Sequence, residues 1–208
     1  MQLKVKRLLD FLFALVLLFL LSVLFIGISA AIKLDSKGPV LFKQKRLGKD
    51  GKEFSIYKFR TMIEGAEFKG RGIFQSENDE RITKIGKILR MTSLDELPQL
   101  FNILKGEMSF IGPRPPLTYY PYPIHGYSEE QKVRFRFLPG MTGYAQIMGR
   151  NSISWEEKIG YDIDYVENYS LGLDMKILIL TIYKIWKREH IHHPEAAETR
   201  LNQANKKV

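Results

Sequence analysis

Cysteine is absent from all 208 residues. This excludes disulfides, thiolate zinc sites and cysteine nucleophiles, and fits a reducing compartment. A Walker phosphate loop and a Gly-rich dinucleotide fingerprint are also missing, which argues against a nucleotide hydrolase or a dehydrogenase. Histidine is scarce, and His190, His192 and His193 lie in a polar tail where no carboxylate stands at ligand spacing, so no metal site is expected there. The cations are dispersed and no basic recognition helix stands out, so nucleic acid is not an expected partner.

The excess that does exist is positive charge. Lys and Arg number 32 against 23 Asp and Glu, a net +9, with a pI near 9.6. Anionic partners follow: lipid headgroups or phosphates. Hydrophobic residues make up 45% of the chain, yet mean hydropathy is −0.18. The apolar content is therefore unevenly placed, with most of the excess at the N-terminus.

Residues 11–32 contain no charge. At ~1.5 Å per residue they reach about 33 Å, enough to cross a bilayer core. Three readings compete: a secretory signal, a single span, and a re-entrant helix that returns to the face it entered. The run exceeds the ~7–15 apolar residues of a signal. Lys4, Lys6 and Arg7 precede it, and Lys33, Lys37, Lys43, Lys45 and Arg46 follow. With both flanks positive, both ends favour the cytoplasmic face. Lys4, Lys6 and Arg7 are the expected headgroup contacts.

Residues 40–46 and 53–59 alternate as two strands joined by Gly48-Lys49-Asp50-Gly51, a hairpin signal. Lys58 and Arg60 share one face at period two, either solvated or facing phosphates. Residues 64–79 read as a loop. Residues 81–91 read as an amphipathic helix, with Ile82, Ile85, Ile88 and Leu89 inward and Arg81, Lys84 and Lys87 outward. A second apolar helix, 173–188, either lies in the membrane interface or packs into the core. Between them, residues 119–128 (YYPYPIHGYS) form a loop, and Ser154 with Glu157 caps a helix over 154–169.

The richest stretch is 90–116, RMTSLDELPQLFNILKGEMSFIGPRPP. Ser93-x-x-Glu96 is a capping-box pattern, which alone would make Asp95 and Glu96 ordinary first-turn acids. Pro98 conflicts with that register, because the helix would already need its amide hydrogen. The helix therefore starts nearer Asp95 or is distorted at the carboxylates.

This stretch resembles the signature of the bacterial sugar transferases, the monotopic phosphoglycosyl transferases. KGPVLFKQKRLG at 37–48, YKFRTM at 57–62 and PGMTGYAQIMGRN at 139–151 extend the resemblance, in order, to about residue 190. The resemblance implies a re-entrant membrane helix broken by Ser-Pro. Here the pair is Ser22-Val23, and Ser22 can bend a helix only by bonding back to the preceding turn. It implies that Asp95 attacks the β-phosphate of a UDP-sugar, that UMP leaves, and that polyprenyl (undecaprenyl) phosphate takes the phosphosugar from an aspartyl intermediate. Mg²⁺ would be held at Asp95 and Glu96, with Glu96 also acting as base or positioning group. Lys58, Arg60, Arg90, Arg114 and Arg150 are the expected phosphate contacts, although Arg114 could equally brace its Pro-flanked turn.

The expected fold is mainly α with a small β-hairpin (α+β): a membrane helix over 1–34, a cytosolic catalytic domain over 35–190 with amphipathic interface helices, and a polar tail over 191–208. The expected location is the bacterial cytoplasmic membrane, with the catalytic domain in the cytoplasm and homo-oligomerisation left open. Two alternatives stand beside this: a ternary-complex transferase without a covalent intermediate, and a non-enzymatic basic protein that binds membrane surfaces.

Overall fold

The N-terminal apolar run folds as two helices, α1 (Gln2–Leu20) and α2 (Ser22–Asp35), bent by 63°. The structure, a computed structural model, describes residues 1–66, 79–149 and 152–187, and the side chains of all but 185 and 186 of these. Arg150, most of the 64–79 loop and the His-containing tail lie outside the described residues. The bend falls at Leu21, with φ −92° and ψ 5°. Leu21 N still donates to Leu17 O, and Phe25 N to Leu21 O. Back-bonding to the preceding turn occurs at Ser29, whose Oγ donates to Phe25 O at 2.6 Å. No single helix among the described residues is long and apolar enough to cross a membrane; the bent pair passes that test together.

Both arms of the pair are fastened to the rest of the chain. Lys6 is buried and ion-pairs with Asp174 at 2.6 Å. Arg7 donates to Ile103 O and Leu104 O, the carbonyls that close α4 (Gln99–Lys105). Two expected headgroup contacts are therefore internal braces, because burial demands a partner for each cation; only Lys4 stays exposed. At the other arm Arg60 is buried and donates to the carbonyls of Ile32, Ser36 and Lys37. It caps the C-terminus of α2, where unpaired carbonyls and the helix dipole favour a cation. The expected phosphate contact at Arg60 is thus corrected to a helix cap.

The hairpin forms as expected, β1 (Leu41–Leu47) antiparallel to β2 (Glu53–Phe59). Its turn uses positive φ at Asp50 and Gly51. A second, parallel pair, β3 (Ser109–Ile111) with β4 (Gly140–Thr142), was not expected. Three-residue strands carry too short an alternation to read. Their crossing is close: a Cβ on Gly140 would lie 2.1 Å from Gly112 N, so no side chain fits. Gly140 N donates to Pro113 O, and Gly112 N to Thr142 O, which fixes the turn that carries Arg114.

Helix α3 (Lys84–Thr92) is capped by Thr83 and by Asp35, whose carboxylate accepts from Ile85 N. It begins later than the pattern suggested. Arg81 is buried against Asp79 and Ala66 O, so it is not outward, and Ile88 is exposed rather than inward. The capping box of α6 (Trp155–Glu167) is present as expected. Helix α5 (Tyr144–Met148) connects β4 toward it. Helix α7 (Leu171–Trp186) packs into the core through Ile177, which is fully buried, while Met175, Ile179 and Ile182 are exposed.

The largest core cluster gathers Ile111, Val133, Ile147, Tyr165, Val166 and Ile177. Two others matter for the site. Ile28 and Ile32 of α2 pack with Phe59 and Leu89. On the other side Leu47, Tyr127, Phe135 and Ile159 form a separate cluster.

Candidate active site

Ser93 ends α3 in the left-handed region, φ 57°. It does not start a helix with its side chain: Glu96 N bonds to the Ser93 backbone oxygen at 3.2 Å. The next residues, Leu94–Glu96, form a single 3-10 turn, and Pro98 then caps α4. The conflict between Ser93 and Pro98 is thus resolved by ending one helix and opening another, with the acids in the gap. Both carboxylates consequently face one side chain, Lys58, which adjacent residues inside an α-helix would not.

Strand β2 supplies their counter-ion. Lys58 Nζ is 2.6 Å from Glu96 Oε1 and 3.8 Å from Asp95 Oδ2. The strand itself is held by buried Asn102 of α4, which accepts from Tyr57 N and donates to Ser55 O. Arg114 Nη2 reaches the same Glu96 oxygen at 3.4 Å. Arg90 is anchored by Nε to Thr61 Oγ1 at 2.8 Å. That contact depends on Gly86, where a Cβ would stand 2.0 Å from Thr61 O.

The two acids are held in opposite ways. Burial pushes Asp95 above the ordinary carboxylate range and the Glu96 charge adds to this, against the pull of Lys58, Arg90 and Arg114. For Glu96 burial also acts upward, but Lys58 and Arg114 together outweigh it and hold the group down at about 2. Asp95 is the more basic and the less tightly paired oxygen donor. Glu96 is a weak base whose charge is already committed to two cations.

Of the expected site residues, the structure brings Asp95, Glu96, Lys58, Arg90 and Arg114 together, sends Arg60 elsewhere, and leaves Arg150 outside the described residues. Arg46 had been read only as flanking charge, yet it belongs here. Burial lowers its guanidinium to about 10, with Arg114 adding to the effect and Glu96 opposing it. The signal that could have found it was the hairpin register: Arg46 pairs with Phe54 and Lys58 with Phe42, so both cations lie on one face.

Among the described residues no group of three or more His, Asp or Glu could cage a metal. Two neighbouring carboxylates do fit the usual mode of Mg²⁺, which takes one or two carboxylates and completes its shell with substrate phosphates and water.

The bacterial sugar transferase profile matches residues 1–188. The chain belongs to the bacterial sugar transferase family. The transferase is 47% identical to the sugar transferase EpsL of Bacillus subtilis, over 89% of each chain. It is 44% identical to the UDP-glucose:undecaprenyl-phosphate glucose-1-phosphate transferase of Klebsiella pneumoniae, covering 86% of this chain and 39% of that protein. It is 40% identical to a UDP-N-acetylgalactosamine-undecaprenyl-phosphate N-acetylgalactosaminephosphotransferase of Aeromonas hydrophila, covering 87% of this chain and 43% of that one. The transferase thus spans about two-fifths of the two relatives whose names state a reaction. Those two names state different sugars at similar identity, so family membership alone does not fix the sugar.

Proposed function

We propose that this chain transfers a sugar-1-phosphate from a UDP-sugar to polyprenyl phosphate, with Asp95 as covalent nucleophile. The observation that carries the reading is the asymmetry of the acid pair. Asp95 is raised and sits 3.8 Å from Lys58, while Glu96 is tied to Lys58 and Arg114. An Asp95 oxygen bonds to the β-phosphorus, the bond from that phosphorus to the bridging oxygen breaks, and UMP departs with that oxygen. A phosphate oxygen of the lipid then attacks the aspartyl-phosphosugar. This frees the Asp95 carboxylate and yields polyprenyl-diphosphate-sugar.

Lys58, Arg90 and Arg114 neutralise the phosphate oxygens as charge moves. Glu96 holds Lys58 and Arg114 in place. It need not act as a base, because a phosphate's second pKa is about 6 and the acceptor is mostly dianionic at neutral pH. Mg²⁺ bound by Asp95 and Glu96 would supply further charge neutralisation on the diphosphate.

The bent α1–α2 pair is read as re-entrant in the cytoplasmic membrane, with the rest of the chain on the cytoplasmic side. Support comes from the fastening of both arms to the same domain, Lys6 to Asp174 and Arg60 to Ile32 and Ser36. Apolar side chains around the bend are left outward: Phe19, Leu20 and Val23 are among the most exposed large residues.

The test is UMP release from a panel of UDP-sugars with undecaprenyl phosphate and Mg²⁺, for wild type and Asp95→Asn. Release abolished in Asp95→Asn supports the reading and names the sugar. Intact mass of the wild type after UDP-sugar without acceptor separates the covalent route, which adds a phosphosugar, from a ternary-complex route, which adds nothing.

A further inference from the structure

The cations of the site are strung in a row, and the row has two different ends. At one end Arg90 bonds to Thr61 beside the cluster of Ile28, Ile32, Phe59 and Leu89, the side of the membrane helices. Asp95, Lys58 and Glu96 follow, then Arg114. Beyond Arg114 the row continues to Arg46, whose Nη1 donates to Pro115 O at 3.1 Å and which bridges to Leu117. Lys158 stands at this end too: it is lowered by burial and then by the charge of Arg114. This far end adjoins the cluster of Leu47, Tyr127, Phe135 and Ile159, away from α2.

Among the described residues, positive charge at the far end is only partly offset, by Asp162 and Glu157 near Lys158 and by Glu96 near Arg46. Glu96 is taken by Lys58 at 2.6 Å, and buried Asp162 by Arg134 at 2.5 Å. Arg46 Nε is buried without a hydrogen-bond partner among the described residues.

An aromatic ring is presented at the same place. Tyr119 lies two residues after Leu117 and is 59% exposed. The next residue, Tyr120, packs edge-on against Trp155 with centroids 5.8 Å apart, and Lys158 Nζ stands 5.1 Å from the centroid of that same Trp155 ring. Tyr122 donates to Glu156 at 2.8 Å and packs on Tyr127. The loop is thus pinned on both sides of Tyr119 while the Tyr119 ring itself is left open, the arrangement of a stacking platform rather than a core residue.

We propose that Tyr119, with Arg46 and Lys158, is the subsite for the nucleoside monophosphate half of the donor: the base stacks on the Tyr119 ring and the α-phosphate faces the two cations. This rests on the transferase reading and deepens it by giving the row a direction. The leaving UMP lies at the Tyr119 end, the reacting β-phosphate over Lys58 and Arg114, and the lipid acceptor enters from the Arg90 end beside the apolar helices.

The probe is UMP, titrated calorimetrically into the full-length protein in lipid nanodiscs, alongside steady-state kinetics with the UDP-sugar that the wild type uses. Removing a base-stacking ring is expected to weaken UMP roughly ten-fold in Tyr119→Ala, with Tyr119→Phe within about two-fold of wild type. The KM for UDP-sugar should rise in parallel while the KM for undecaprenyl phosphate stays put. Lys158→Gln should weaken UMP but not uridine. Wild type that binds no UMP, or Tyr119→Ala with unchanged melting temperature and UMP affinity within two-fold, overturns the subsite. Tyr119-dependent UMP binding without any UMP release would leave the subsite standing and sink the transfer reaction instead.

Discussion

Lys58 donates to Glu96 at 2.6 Å and stands 3.8 Å from Asp95. One ammonium from a strand therefore sorts two neighbouring carboxylates into a tightly held group and a loosely held one. The sorting is not available to sequence spacing, since Lys58 lies 38 residues before Glu96 and reaches it only because the hairpin folds onto the 3-10 turn.

Asp95→Asn should separate stability from turnover. Burial and the Glu96 charge raise Asp95, so its ionised form works against folding at neutral pH. The neutral amide removes that penalty, and the melting temperature should stay level or rise while UMP release falls by roughly three orders of magnitude or more. In the wild type, the acid limb of kcat/KM should fall at a pH above the ordinary Asp value of 3.8, because the nucleophile must be ionised.

Glu96→Gln should do the opposite to stability. The folded Glu96 is held at about 2 against 4.5 for the free group. Its contribution is fully present above about pH 4.5 and is lost as pH falls toward 2. Denaturant titrations should show the variant less stable by about 2–3 kcal/mol at pH 7, with the gap closing across that acid window. A gap that persists at pH 2 would point to lost packing rather than lost charge.

Arg60→Met should fail as a fold variant, not as a substrate-binding variant. Loss of a buried cation that caps the Ile32 and Ser36 carbonyls should cost about 3 kcal/mol in denaturant unfolding. The folded fraction should keep its KM for UDP-sugar within two-fold. Arg60→Lys should not restore stability, because a single ammonium cannot span the carbonyls that the guanidinium fork reaches.

Lys4 and Lys6, two residues apart, should behave differently. Lys6→Met leaves the buried Asp174 carboxylate without its counter-charge, with the Tyr165 hydroxyl still donating to it at 2.7 Å, and should cost about 3 kcal/mol. Lys4→Ala should change stability by no more than about 0.5 kcal/mol, while weakening co-sedimentation with anionic vesicles at low salt. Equal stability losses would contradict the burial difference.

Periodicity carried the hairpin, the capped helix at Ser154 and the apolar N-terminal run, because each depends on local pattern: alternation, a cap, length. The Asp95–Glu96 stretch was legible as a candidate site through its sequence signature, and its broken helix through the clash between Ser93 and Pro98. Arg60 was misread because period two places it beside Lys58, whereas β2 ends at Phe59 and the chain turns its side chain under α2. Arg81 and Ile88 exchanged the expected sides because α3 starts three residues later than the pattern suggested, at Lys84. Lys6 and Arg7 could not be assigned from sequence at all: their partners, Asp174 and the Ile103 carbonyl, lie 168 and 96 residues away.

Lys6 at one end and Arg60 at the other give the apolar segment a mechanical character. A helix tied at one end swings like a hair, and a bilayer could take it up or let it go one residue at a time. The α1–α2 pair is tied at both ends, so it has the form of a staple, with Leu21 at its crown and the rest of the chain as its back. A pull on the rest of the chain loads both prongs at once. Freeing the α1 prong would take the loss of Arg7 as well as Lys6, and freeing the α2 prong the loss of Arg60; either would turn the staple back toward a hair.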